Sequence, residues 1–94
     1  MGRGTREKPT KLGKKLAKIR ARLGLSQDGL VRALGISGKL TRNEISKYER
    51  GVREPALLVL LKYAKAAGVR VDDLIDDDVK LSLGVDARRK EKKN

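Results

Sequence analysis

The chain has 94 residues and a formal charge of +12, with 24 Lys and Arg against 12 Asp and Glu; this describes one small domain with little spare core and a polyanion as natural partner. It holds no cysteine and no histidine, which excludes disulfides, thiol chemistry, the usual zinc sites and histidine acid–base catalysis. Two tyrosines are the only aromatics, so base stacking of the kind that grips RNA or single strands is weakly supported. The basic start lacks the apolar core of a signal peptide, and no apolar run approaches the ~20 residues of a membrane span. A cytoplasmic protein without a membrane contact is expected.

Residues 1–10 contain Gly2, Gly4, Pro9 and several basic side chains, without apolar patterning. They read as a flexible basic arm. The spacing of Leu12, Leu16, Ile19 and Leu23 predicts an amphipathic helix over 11–23, with Thr10 as its cap and Gly24 as its stop. Lys14, Lys15, Lys18, Arg20 and Arg22 load its other faces. A second short helix starts at the cap Ser26, turns Leu30, Ala33 and Leu34 inward, and ends at Gly35. Gly29 inside it costs up to about 1 kcal/mol against alanine.

After a connector over 36–40, residues 41–50 form the helix around which the chain is organised. Thr41 is the cap, Glu44 three residues on completes a capping box, and Gly51 is a left-handed stop. Ser37 is the alternative cap, but it would place Gly38 inside the helix. Ile45 and Tyr48 share the core-facing side. Arg42, Asn43, Ser46, Lys47 and Arg50 point elsewhere, and they suit the base edges and phosphates of a nucleic-acid groove.

Pro55 fits the first position of a fourth helix, which continues over 56–67 with Leu57, Leu60, Leu61 and Ala64 inward and Gly68 as its end. Leu58, Val59 and Tyr63 make this helix apolar nearly all round. A short acidic helix follows over 72–76, capped by Asp72, with Leu74 and Ile75 inward. The aspartates here lack the Gly turn and terminal Glu of a calcium loop, so no metal site is expected. Residues 79–83 alternate apolar and polar; they form a short strand on a second copy of the chain or stay irregular. Residues 86–94 are basic and read as disordered. No repeat, phosphate-cradling glycine loop or catalytic carboxylate pair appears, and no cofactor or enzymatic activity is expected.

Five short helices on one core, with a brief connector before a helix of basic outer face, form the helix-turn-helix pattern. Residues 12–75 resemble the Cro/phage-repressor (xenobiotic-response-element) family. The resemblance rests on Ile19-Arg20 with Leu23-Gly24-Leu25-Ser26-Gln27, on Leu30 and Leu34-Gly35, and on Ile45-Ser46-Lys47-Tyr48-Glu49-Arg50-Gly51. Arg53-Glu54-Pro55 and the stretch from Gly68-Val69 to Asp73-Leu74 complete it. It implies an all-α, five-helix repressor-like domain over 11–78, flanked by the arm and by a tail over 79–94.

The same resemblance implies roles for individual residues. Gln27 opens helix 2, binds phosphate and braces the recognition helix. Arg42, Asn43 and Lys47 face the groove, with Ser46 beside them as base contacts. Arg50 and Arg53 lie near phosphates, and Arg20 and Glu49 form a buried ion pair. From Gly35 to Ile45 the chain is about four residues longer than the usual family spacing. The longer turn calls into question whether Gln27 braces Arg42, and it adds Lys39, beside Thr41, as a phosphate contact.

These readings converge on a sequence-specific duplex DNA-binding regulator, a repressor, acting as a homodimer with recognition helices roughly 34 Å apart. Its dimer contact is expected among the fourth and fifth helices and residues 79–83. The alternative is an antitoxin-like protein of the same fold, using the apolar excess of the fourth helix or the tail to hold a toxin. A binder of RNA or architectural type, with little sequence choice, is the third reading.

Overall fold

The computed structural model describes residues 8–83. The basic arm over 1–7 and the basic tail over 84–94 lie outside the described residues. Five helices follow one another: α1 (Leu12–Leu23), α2 (Gln27–Ala33), α3 (Arg42–Glu49), α4 (Leu57–Ala67) and α5 (Val71–Ile75). Every helix sends at least one fully buried side chain into a single core: Leu16 and Ile19, Leu30, Ile45, Tyr63, and Leu74. α1 is the hub and packs on α3, α4 and α5, while α2 packs on α3 and α4 on α5.

The approach of α1 to α3 depends on Gly13. A Cβ at that position would lie 2.7 Å from the carbonyl oxygen of Glu49 and 2.9 Å from that of Tyr48. Only a residue without a side chain lets the two backbones meet there.

Several side chains depart from the expected stripes. Leu57 and Leu61 are not inward: Leu57 is 78% exposed and Leu58 70%, whereas Tyr63 is fully buried with Leu60 and Ala64. Both stripes have helical spacing, and the larger ring takes the core because it removes more apolar surface from water. The Tyr63 hydroxyl has no hydrogen-bond partner among the described residues. Burial, and secondarily the Glu49 carboxylate, pushes its pKa far up. In α2, Val31 is buried while Ala33 is exposed. Leu23 and Ile75 are exposed rather than inward. Pro55 precedes α4 by two residues instead of opening it, and Ala56 holds the cap position.

The start of α1 and the end of α5 are tied by two contacts between distant residues. Thr10 does not cap α1; Lys11 occupies that position and offers no side-chain cap. The Asp77 carboxylate does the work instead. It accepts the Thr10 N–H (2.8 Å), the Thr10 hydroxyl (2.9 Å) and the Lys11 N–H (3.0 Å), satisfying donors that a helix start leaves open. Reciprocally, Lys15 is buried rather than outward. Its ammonium donates to the carbonyls of Asp73 (2.7 Å), Asp76 (2.9 Å) and Val79 (2.8 Å), which uses all three of its protons at the carbonyl end of α5. Asp72 is not the cap of α5, because Arg70 takes that place and its N–H donates to Asp73 (2.9 Å).

Held in this way, residues 79–83 form no strand, and Leu81 is buried on the chain's own core. A strand paired with a second copy is therefore replaced by an irregular strap.

Gly13→Ala should lower stability by about 1 kcal/mol net, because overpacking costs about 1–3 kcal/mol against a helix-propensity gain of up to about 1. Denaturant unfolding measures it; an unchanged midpoint would mean that α1 and α3 separate there without cost.

Hydrogen bonds from the Thr10 and Lys11 backbones, and then from the Thr10 hydroxyl, hold Asp77 below its ordinary 3.8. A depressed carboxylate stabilises the fold above its unfolded pKa, and that contribution is lost as pH falls through the lower folded value. Melting curves across roughly pH 2 to 6 should show Asp77→Asn less stable than the parent at the upper end, with the gap closing in acid. A gap independent of pH would exclude this linkage.

Candidate nucleic-acid interface

The reading face is built on α3, which starts where the capping rule places it. Thr41 is extended at the cap, its hydroxyl accepts the Asn43 N–H (3.2 Å), and it donates to Glu44 (2.9 Å). The Thr41 hydroxyl is the main cause that holds the Glu44 carboxylate below its ordinary 4.5. Ser37 stays in the turn. Ile45 and Tyr48 are buried, and this rotation leaves Arg42 and Asn43 exposed with Ser46 and Lys47 half-buried beside them.

Ser46 and Arg50 are coupled one turn apart: Arg50 Nε donates to Ser46 Oγ (3.2 Å). Arg42 Nη1 lies 3.8 Å from Asp28 Oδ2, with both side chains more than half exposed, so this pair is worth little in energy. The companion of Arg42 on helix 2 is thus Asp28, which the sequence reading missed. No sequence rule pairs residues across a turn of undetermined shape.

Gln27 braces the other end of the helix. Its amide donates to Glu49 Oε1 (3.2 Å). The same carboxylate receives Arg20 through two bonds, Nε to Oε2 at 2.6 Å and Nη2 to Oε1 at 3.0 Å. Arg20 Nη1 donates to the Leu25 carbonyl (3.0 Å). The Glu49 carboxylate therefore joins the end of α3 to α1 and the start of α2, and the Arg20 guanidinium adds the α1–α2 loop. The expected Arg20–Glu49 pair is present, and its side chains are 25% and 9% exposed.

The longer turn is folded on itself. Ile36 is buried, and its carbonyl accepts the N–H groups of both Lys39 and Leu40 (3.0 Å each). Gly38 sits at φ +87°, a conformation that costs other residues energy. Ser37 and Lys39 are exposed at the tip, next to the start of α3. Arg50 and Arg53 are exposed beyond its other end. The described face thus presents cations at both ends, while its acids Asp28 and Glu44 are engaged by Arg42 and Thr41.

Residues 16–74 match the helix-turn-helix family. The chain belongs to the Cro/C1-type helix-turn-helix family. This is a family of DNA-binding transcriptional regulators, not of enzymes. Over 60 residues, the chain is 35% identical to YgzD, an uncharacterised HTH-type transcriptional regulator of Bacillus subtilis (strain 168), spanning 64% of this chain and 85% of YgzD.

Among solved structures it is similar to the P22 c2 repressor in complex with synthetic operator 9T, with TM-score 0.61, 28% identity, and coverage of 71% of this chain and 96% of that one. It is also similar to the restriction-modification controller protein C.AhdI from Aeromonas hydrophila, with TM-score 0.57, 34% identity, and coverage of 69% and 88%. A third likeness is to the hypothetical transcription factor NHTF from Neisseria, with TM-score 0.59, 28% identity, and coverage of 90% and 85%.

For this helix-turn-helix domain, Glu49→Ala should cost about 3 kcal/mol, the low end for breaking a buried pair, since Arg20 keeps some water. Thermal unfolding by circular dichroism reads it. A melting temperature within error of the parent would show that the pair holds nothing.

Proposed function

We propose that this protein is a sequence-specific duplex DNA-binding repressor that inserts α3 into the major groove. The observation that carries the proposal is the outer face of α3: cations, an amide and a hydroxyl on one side of a short helix whose other side is buried. Asn43 and Lys47 lie four apart on that face. An asparagine amide makes paired hydrogen bonds to adenine, and a lysine donates to guanine. Arg42 and Ser46 complete the base-reading set. Gln27, Lys39, Thr41, Arg50 and Arg53 ring it as phosphate contacts, which supply affinity and register without sequence choice. Likeness to a repressor seen on its operator supports this assignment.

One such helix reads few bases, so two copies act together with half-sites about one turn, roughly 34 Å, apart. The exposed leucines of α4, Leu57 and Leu58, supply the apolar surface for that contact. The same surface is what an antitoxin-like relative would offer to a toxin, and copurification of an unrelated chain would favour that reading. Among the described residues, no helix is long and apolar enough to cross a membrane. A duplex partner implies a cytoplasmic, nucleoid-associated protein.

Selection of sites from random duplexes should return two-fold symmetric sequences, and variants then separate reading from holding. Asn43→Ala should cost about 1–3 kcal/mol on the selected site and relax one base step, leaving non-specific binding little changed. Arg53→Ala should weaken selected and random duplexes alike and reduce the salt slope by about one. Equal losses for Asn43→Ala on both duplexes would remove α3 as the reader.

A further inference from the structure

α1 carries a groove that the DNA-reading surface does not use. A hollow of about 400 Å3 lies between α1 and residues 77–81, and Lys14, Lys18, Lys80, Val79 and Leu81 are among its lining. A second hollow, of about 440 Å3, shares Lys18 and Leu81 and continues past Ala21, Arg22 and Leu83. Together they run along α1 from Lys11 to Arg22, about 16 Å at the helical rise.

Around α1, Gly13 and Arg20 face α3, and Lys15 faces α5. Lys14 and Lys18 lie off the α3 side, next to Lys15, and line the groove with it. Their groove shares no lining residue with the proposed DNA contacts.

Its chemistry is two-fold. The rim is cationic: Lys11, Lys14, Lys18, Arg22 and Lys80 are exposed. None of the ion pairs among the described residues uses them. The Lys15 ammonium beneath spends its protons on carbonyls. Acids occur at one end only, and of these Asp77 is taken by Thr10 and Lys11, leaving Asp78. The floor is apolar: Val79 lines the first hollow, and Leu81 and Leu83 pack on the core. A phosphate backbone would satisfy the rim and leave this floor unused. The chain's own ends are unsuitable by net charge, since Arg3 and Arg6 outnumber Glu7 before the described part, and Arg88, Arg89, Lys90, Lys92 and Lys93 outnumber Asp86 and Glu91 after it.

We propose that this groove docks an acidic amphipathic segment of a partner protein, with carboxylates on the lysine rim and apolar side chains on the Val79–Leu81–Leu83 floor. The proposal stands apart from the DNA reading, because it uses none of the residues assigned to DNA. It gives the regulator a surface through which a second protein is engaged at the same time as duplex.

Fluorescence anisotropy with the full chain tests it, using a labelled helical peptide of about 12 residues with Leu at i, i+3 and i+7 and Glu elsewhere. The peptide should bind, and its Leu→Ser counterpart should bind at least about tenfold more weakly, because it offers the floor nothing. The double variant Lys14→Glu/Lys18→Glu should lose at least about tenfold by like-charge repulsion, with an unchanged melting curve. Amide shifts on the unaltered chain should map to residues 14–22 and 79–83, a readout that holds even if the double variant folds poorly. No binding, equal binding of the two peptides, displacement by random duplex, or shifts centred on α4 would each overturn the proposal.

Discussion

The Arg20–Glu49 pair ties the end of α3 to α1. Glu49 is the last residue of α3, and its carboxylate receives donors from α1 and α2 together. A guanidinium meets a carboxylate as a planar fork, so the contact sets direction as well as distance. Beside it, Gly13 brings the two backbones into contact. Tyr63 is fully buried, and its hydroxyl has no hydrogen-bond partner among the described residues. The Glu49 side chain is 9% exposed, and losing one partner of a buried pair leaves the other charge uncompensated.

Closure of the chain rests on a second, reciprocal contact. Asp77 satisfies the open donors at the start of α1, and Lys15 satisfies the open acceptors at the end of α5. The dense aspartates of residues 72–78 divide accordingly. Asp73 accepts from the start of its own helix, Asp76 bonds the N–H of Asp78, and Asp77 reaches across to α1. Acidic clustering here is helix-end chemistry. It also lays Leu81 onto the core, and thereby creates the floor of the groove along α1.

The surface that results is divided by chemistry. Polar and cationic groups surround α3, leucines stand out on α4, and lysines line α1 above an apolar floor. A formal charge of +12 gives salt-sensitive attraction to any polyanion and no sequence choice. In the proposed function, choice comes from the few side chains that the buried pair of Ile45 and Tyr48 turns outward. The turn over 36–40 leaves Lys39 exposed ahead of the start of α3.

What the sequence determined by itself was local. Helix order, the Thr41 cap with Glu44, and the outward set on α3 follow from period and capping, which involve neighbours within one turn. Resemblance supplied Arg20 with Glu49, a pair 29 residues apart in the chain. Periodicity placed Leu57 and Leu61 inward with Leu60 and Ala64 and left Tyr63 aside; the core instead takes the Tyr63 ring with Leu60 and Ala64 and leaves Leu57 and Leu61 exposed. Nor did it foresee Lys15 turned inward, Asp77 capping a helix 66 residues away, or Asp28 beside Arg42. These contacts depend on where α5 and the turn over 36–40 come to rest against α1 and α3. That placement is set by tertiary packing, because open donors and acceptors at helix ends take whichever partner the fold brings within reach.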